Sequence, residues 1–361
     1  MSITEVARLS GFSHATVSRV LNNRAGVSEA AEHAVRRAIE ELGYRPSERR
    51  RGRKPKPAAG LANRTIALLM MRTDAMLVRA PVTAAVLHGV EKALADADIN
   101  LVVGQVQDDG RLPPSVEDAK VDGLLLHGFL PTRKITEKLA RIPSVWLLSP
   151  REPVGYFGSR VSPDNESIGR LAAEYLIEQG HKRIAYLYCE PGHQGFSLRK
   201  AAFEHVARRA GVECVTLDEG PMQDEDSRHA TVDRFAPIVD KLLAMMPRPT
   251  GVFVPRDRAT VLVHKLLIQR GVDLSSDLQL VSCDNDPVLS GLSPLPATID
   301  INTDLIGREA VSLLTRQIER QDDAPLRHVV LVEPRLIRPE EHSTFVPVPV
   351  TRPAVDGVRP S

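Results

Sequence analysis

The sequence predicts two parts of different class: an all-α headpiece at its start and an α/β core of two parallel-sheet lobes behind it. Three observations carry that prediction. Apolar residues recur with helical period over about 3–42, and a strongly basic, proline-bearing stretch follows. From about residue 64, short apolar runs alternate with amphipathic stretches, and this rhythm restarts near residue 166. With 361 residues and 42% hydrophobic content, the chain exceeds one typical domain and can fill more than one core.

The first helix is expected to open at Ser2, because Ser2 and Glu5 stand in capping-box spacing. Ile3, Val6, Ala7 and Ser10 share one helical face. Gly11 supplies the permissive backbone of a sharp turn, and Phe12 is apolar enough to pin that turn to a core. Ser13 is placed to cap a second helix, in which Val17, Val20 and Leu21 recur at i, i+3 and i+4. His14, Ala15, Ser18, Arg19 and Asn22 are left on the outer face, where a helix laid in a major groove would meet base edges and phosphates. A third helix over about 28–42 shows Ala31, Val35, Ala38, Ile39 and Leu42 as its apolar stripe, with Gly43 as its stop.

Three stretches, Thr16-Val-Ser-Arg-Val-Leu-Asn22, Val27-Ser28 and Glu41-Leu-Gly-Tyr-Arg-Pro46, resemble the helix-turn-helix headpiece of the LacI/GalR transcriptional regulators. The resemblance covers nearly all of 2–46. It implies that the second helix reads operator DNA, with His14 and Ala15 as specificity residues. Thr4, Ser13, Thr16, Ser18, Arg19 and Asn22 are then its further backbone or base contacts. The methyl group of Ala15 suits a thymine methyl, and Arg19 suits guanine.

Charge is distributed accordingly. Residues 1–60 hold twelve Lys and Arg against six Asp and Glu, a net +6, and the remainder holds 35 against 40, a net −5, which together make the chain's +1. A basic head on an acidic body points to a polyanionic partner for the head alone. Cys189, Cys214 and Cys283 are odd in number, widely spaced and without metal-ligand spacing, and they read as reduced thiols of a cytoplasmic protein. No secretory leader precedes the first helix, and no apolar run approaches the roughly 18 residues of a membrane span, so no membrane partner is expected.

The linker, taken as 47–63, departs from the family. There the region usually forms a short hinge helix on DNA with a leucine wedged into the minor groove. Here arginines stand at the expected apolar positions, and Gly52, Pro55 and Pro57 oppose a helix. The stretch Arg51-Gly-Arg-Lys-Pro55 instead resembles an AT-hook core, whose arginine pair lies extended in a narrow A·T minor groove. Two readings stand for Arg51 and Arg53: a solvated linker making phosphate contacts, and a minor-groove insert.

The core is expected over 64–340. Ile66-Ala-Leu-Leu-Met-Met71 precedes a helix over about 81–97. The runs at 101–103, 121–126 and 144–148 then alternate with a helix near 132–141. After the restart, helices over about 166–179, 196–210, 228–245 and 259–270 separate apolar runs at 183–188, 213–217, 251–254 and 278–282. Two such halves make a bilobed clamp, since sheets of this kind bind ligands beyond their strand carboxyl ends.

Asp164-Asn165, Gly180-His-Lys-Arg-Ile-Ala185, Ser197-Leu-Arg199, Val254-Pro-Arg-Asp-Arg258 and Val281-Ser-Cys-Asp-Asn-Asp286 resemble the effector core of the same family, which is similar to the periplasmic sugar-binding proteins. The resemblance places Asp164, Arg199, Asp257 or its neighbour Arg256, and Asp284 on positions that commonly hydrogen-bond the effector. Carboxylates and an arginine suit adjacent hydroxyls because they accept or donate in pairs. A cation at Arg256 favours an acidic sugar or sugar phosphate. No aromatic pair follows the first strand, and Phe129, Trp146 and Phe196 are expected to pack rather than stack on a ligand.

The run 296–301 is expected to cross into the first lobe, a helix over 303–320 to follow, and the run 329–336 to return to the second. The segment 341–361, rich in proline, is expected to be disordered. No cofactor loop, Walker A sequence, nucleophile elbow or zinc motif is present in the sequence, so no enzyme, cofactor or metal site is expected. The reading is a sequence-specific DNA-binding transcriptional regulator of the repressor type, controlled by a sugar-type effector. Its expected partners are operator DNA, the effector and a second copy of the chain, because one headpiece contacts one half-site. Pairing of dimers into tetramers stays open. The alternatives are a sugar-binding transport protein and an α/β carbohydrate enzyme.

Overall fold

The computed structural model describes residues 3–21, 28–42, 61–72, 81–107, 111–149, 155–188, 193–218, 232–319 and 327–341. It divides into two units, Met1–Lys56 and Pro57–Ser361. In the first, α1 (Ile3–Ser10) and α2 (His14–Leu21) meet at a turn where Gly11 takes φ +73°, a conformation that costs glycine little. Ser13 caps α2, its Oγ accepting from Thr16 N at 3.3 Å. Ser28 caps α3 (Glu29–Glu41) in the same way through Ala31 N. Val6, Ala7, Val17, Val20, Val35 and Ala38 close a small core, with Phe12 packed against its edge. Burial of such a side chain is worth about 1.5–3 kcal/mol, which is what lets three short helices hold together.

The second unit carries two six-stranded sheets. The first is wholly parallel and is built from β1 (Thr65–Met71), β2 (Asn100–Val106), β3 (Gly123–Gly128), β4 (Ser144–Leu147), β5 (Ser159–Pro163) and β11 (Val329–Val332), in spatial order β11-β5-β4-β3-β1-β2. Successive β1 residues serve opposite faces. Ile66, Leu68 and Met70 pack under α4 (Pro81–Asp96) and α11 (Thr303–Glu319), while Ala67, Leu69 and Met71 pack under α5 (Pro114–Glu117) and α6 (Arg133–Leu139). Two-sided burial is why these strands read as unbroken apolar runs. Helices α4 and α11 approach closely at glycines: a Cβ on Gly89 would lie 2.6 Å from Asp304 O, and one on Gly307 would lie 2.6 Å from Val86 O.

The second sheet has the order β12-β10-β9-β8-β6-β7, from β6 (Arg183–Tyr188), β7 (Glu213–Asp218), β8 (Gly251–Phe253), β9 (Gln279–Cys283), β10 (Ala297–Asp300) and β12 (Arg335–Ile337). It is parallel except for β12, which runs antiparallel to β10. One face is covered by α7 (Asn165–Glu178) and α8 (Gln194–Arg209), the other by α9 (Val232–Ala244) and α10 (Asp257–Gln269).

One expectation is corrected and two points are added. The run 296–301 does not cross: β10 lies beside β9 in the second sheet, where Thr298 Oγ1 donates to the Asp257 carboxylate at 3.0 Å. The crossing is made after it, as the chain enters α11. The run 329–336 returns to the second lobe as expected, as two strands, β11 in the first sheet and β12 in the second. Finally, β5 has only Val161 as a fully apolar strand residue, so its hydropathy hides it. Its serines are held internally, Ser159 Oγ accepting from His328 N at 2.9 Å. The chain thus passes between lobes three times, from β5 to α7, from β10 to α11 and from β11 to β12. Segments 43–60 and 342–361, which hold most of the expected linker and tail, lie outside the described residues.

Candidate functional site

In the first unit, α2 buries Val17 and Val20 and leaves Ser13, His14 and Arg19 exposed, with Thr16 half-buried. The period of the helix alone enforces this division, so a polar face stands opposite the core. The side chains of Thr4, Ala15 and Ser18, and residues Asn22, Arg51 and Arg53, are outside the described residues.

In the second unit, the residues at the carboxyl ends of the strands converge. Arg199, on the second turn of α8, is 5% exposed. Its Nε donates to Asn165 Oδ1 at 2.9 Å. One terminal nitrogen donates to Pro255 O at 2.7 Å and to Cys283 Sγ at 3.3 Å. Three of the five guanidinium donors are therefore spent inside the protein, which fixes the plane, while the other terminal nitrogen has no hydrogen-bond partner among the described residues. The ring of Phe196 lies under the guanidinium at 5.1 Å, and His193 stacks on the same ring at 4.6 Å. His193 Nδ1 also caps α8 by accepting from Gly195 N at 3.1 Å. Gln194 Oε1, at the head of α8, is buried with no hydrogen-bond partner among the described residues.

Asp284 follows β9 with φ +120°, a conformation that a non-glycine residue holds only under constraint, and is followed by Asn285 at +56°, in the left-handed region that asparagine tolerates. Burial raises the Asp284 carboxyl to about 6, and the guanidinium groups of Arg199 and Arg256 oppose that rise. Asp257 is placed differently from the expectation. It is fully enclosed, and its carboxylate accepts from Ser282 Oγ, from Thr298 Oγ1 at 3.0 Å and from Asp286 N at 2.6 Å. Those bonds tie β9, β10 and the loop after β9 together, so Asp257 is a buried strut. Burial, and next the charge of Asp284, push its carboxyl well above the usual range. Of the expected pair it is the half-buried Arg256 that reaches the surface.

Asp164 caps α7. Oδ1 accepts from Glu166 N and Ser167 N, both at 3.1 Å, and Oδ2 from Ser167 Oγ at 2.7 Å. It also edges a groove of about 420 Å³ between α7 and α8, lined further by Arg170, Leu198, Ala202 and His205. Trp146 packs in the first lobe at T-shaped geometry to Tyr156 and Phe157, 4.7 and 5.6 Å between centroids. Phe196 is 7% exposed. Sequence reasoning missed the role of Asn165, although it stood in a quoted motif, as well as Ser149 and His193. Their partners lie 16, 34 and 3 positions away, and no local pattern marks the first two.

A helical unit with an exposed polar recognition face, on one chain with a two-lobed α/β core whose strand ends gather arginine and carboxylate, defines a ligand-responsive DNA-binding regulator. Comparison with known proteins agrees. Residues 2–47 match the family described as bacterial regulatory proteins, lacI family, and residues 159–339 match the periplasmic binding protein-like domain. The HTH-type transcriptional regulator CelR of Thermobifida fusca is 30% identical over 338 residues, covering 90% of this chain and 94% of the relative. The ribose operon repressor of Escherichia coli (strain K12) is 29% identical over 329 residues, 88% of this chain and 93% of the relative. Among solved structures, a transcriptional regulator CelR–cellobiose complex is similar at TM-score 0.60 and 27% identity, covering 93% of this chain and 98% of that one. The Lac repressor dimer bound to operator and the anti-inducer ONPF shares the fold at TM-score 0.61 and 20% identity, over 94% and 98%. The chain belongs to the LacI family of transcriptional regulators.

Proposed function

We propose that this regulator is a homodimeric repressor whose operator affinity is set by a sugar-type effector held between the two lobes of 64–340, with the headpiece 1–46 on DNA and 47–63 as the linker. The observation that carries the effector reading is the Arg199 guanidinium: three internal bonds fix it beside Asp284, and among the described residues its other terminal nitrogen has no partner. An arginine edge next to a carboxylate donates to and accepts from neighbouring hydroxyls of one ring. Arg256 adds a second cation at the same strand ends, so a phosphorylated or acidic sugar is the favoured variant over a neutral one. The similarity to CelR, solved with cellobiose, and to the ribose operon repressor supports the sugar class. In this reading the protein meets its operator in the cytoplasm. His14, Arg19, Ser13 and Thr16 are the described operator contacts in this reading, joined by Thr4, Ala15, Ser18, Asn22, Arg51 and Arg53.

Two measurements test it together. Genomic fragments retained by the full-length protein are sequenced, and cellobiose, ribose, glucose 6-phosphate and gluconate are titrated calorimetrically. A palindromic operator is expected, with heat for at least one sugar in the wild type that Arg199→Ala abolishes and Arg256→Asn weakens for the anionic probes alone. Absence of heat for every sugar with the wild type refutes the effector reading. Retention of bulk DNA only refutes the operator reading.

A further inference from the structure

Arg199 does not stand alone at the lobe junction. Asn165 is the first residue of α7, which packs on the second sheet, yet its side chain is bonded in three directions. Its Oδ1 accepts from Arg199 Nε at 2.9 Å. Its Nδ2 donates to Pro163 O, at the end of β5, at 3.1 Å, and to Ser149 Oγ, just past β4, at 2.8 Å. Asn165 is 5% exposed, and among its bonds only the one to Ser149 joins it to a side chain of the first lobe. Ser149 also meets α8 directly. A Cβ on Gly195 would lie 2.8 Å from Ser149 Oγ and 2.9 Å from its Cβ, so glycine is what lets α8 seat against this serine.

A continuous relay, buried from Asn165 onward, therefore runs from the half-buried Ser149 at the end of β4 through Asn165 and Arg199 to Pro255 and Cys283 at the ends of β8 and β9. We infer that Asn165 is a positioning residue for Arg199 and that Ser149 and Asn165 form the latch by which occupancy of Arg199 is felt in the first lobe. The inference rests on the reading that the effector engages Arg199. A ligand that pulls the guanidinium moves Nε, hence the Asn165 amide, hence the hydroxyl at the end of β4. The amide suits this place because it accepts on one side and donates on the other, so a change at one end is passed on rather than absorbed. The relay is an element that both ends can bias, which is the physical requirement for coupling.

The chain carries its own reporter, since its single tryptophan, Trp146, lies on β4 just ahead of Ser149. Cellobiose, ribose, glucose 6-phosphate and gluconate are titrated into full-length wild type, Ser149→Ala, Asn165→Ala and Asn165→Asp, with binding heat and Trp146 emission followed in parallel. In Ser149→Ala, affinity is expected to stay within about twofold of wild type while the emission change on binding is lost. Asn165→Ala should weaken binding at least about fivefold, the worth of one hydrogen bond. Asn165→Asp still accepts from Arg199 and can accept from Ser149 but loses the bond to Pro163 O, so it should bind more tightly than Asn165→Ala without reaching wild type.

If Ser149→Ala keeps the full emission change at unaltered affinity, the latch is overturned and the effector reading survives. If no probe gives heat with wild type, the sugar reading fails instead, and amide exchange of the unliganded proteins decides the latch. Exchange over 193–197 about fivefold faster in Ser149→Ala supports it, and unchanged exchange overturns it.

Discussion

Asp284 should make the protein more stable as it is mildly acidified, the reverse of the usual behaviour of carboxylates. Its carboxyl titrates at about 6 in the folded chain, against roughly 3.9 for an unperturbed aspartate. The folded state therefore takes up this proton first. Stability is lost as pH rises through 6 and regained as it falls, by roughly 1 kcal/mol between pH 8 and pH 5. Burial causes the shift, while Arg199 and Arg256 oppose it and Asp286 adds to it. His264 acts in the opposite sense over the same range, because burial lowers its pKa and its charging favours unfolding. Urea unfolding of wild type and Asp284→Asn at pH 8, 7, 6 and 5 separates the carboxyl from the histidine, which contributes equally to both proteins. The difference includes Asp257, whose carboxyl the charge of Asp284 raises. The stability difference between them should shift toward wild type by about 1 kcal/mol across the series. Effector affinity should move the other way, falling about tenfold from pH 7 to pH 5 for a hydroxyl ligand that needs the ionised carboxylate. A stability difference that is flat in pH would refute the burial argument. A flat affinity with a sloping stability would refute only the contact to the ligand.

Other substitutions read other parts of the structure. Gly169→Ala puts a Cβ 2.0 Å from Arg199 O, in a place where backbone has to move, so a loss of about 1–3 kcal/mol in urea unfolding is expected, together with weaker effector binding because α8 carries Arg199. Ser13→Ala removes the cap of α2 and should cost about 1 kcal/mol of headpiece stability, seen in urea unfolding of the headpiece, with effector binding untouched. Replacing both Arg51 and Arg53 with alanine should weaken operator binding and flatten its salt dependence. A loss concentrated at A·T-flanked operators identifies a minor-groove insert, and a uniform loss identifies phosphate contacts.

The parts of this protein that were legible in its sequence are those whose cause is local. The headpiece was legible because its turn needs a glycine at 11, its caps need Ser13 and Ser28, and its core is a helical stripe. The two-lobed core was legible because strands buried on both faces leave unbroken apolar runs, as Thr65–Met71 does. The same property hid which lobe a strand joins, since a buried parallel strand reads alike in either sheet. Its pairing with β9 and β12, and the bond from Thr298 to the Asp257 carboxylate 41 positions away, show that β10 stays in the second. The edge strand β11 exposes Val329 and Leu331, and nothing in that alternation separated it from the short β12 that follows.

Charged site residues divide along the same line. Arg199 and Asp284 could be singled out by residue type and motif, but type cannot tell a ligand contact from a strut, and Asp257 carries the same carboxylate as Asp284. What separates them is the count of internal partners. Asp257 has its oxygens filled by Ser282, Thr298 and the Asp286 amide, whereas Asp284 follows a strained backbone beside two guanidinium groups. By the same accounting Asn165 rises from a motif neighbour to the hub of the junction. Every polar atom of its side chain is committed, and each commitment leads to a different part of the fold: the ends of β4 and β5, and α8. A residue so placed cannot change one bond without straining the other two. That property separates a hinge that transmits from one that merely bends.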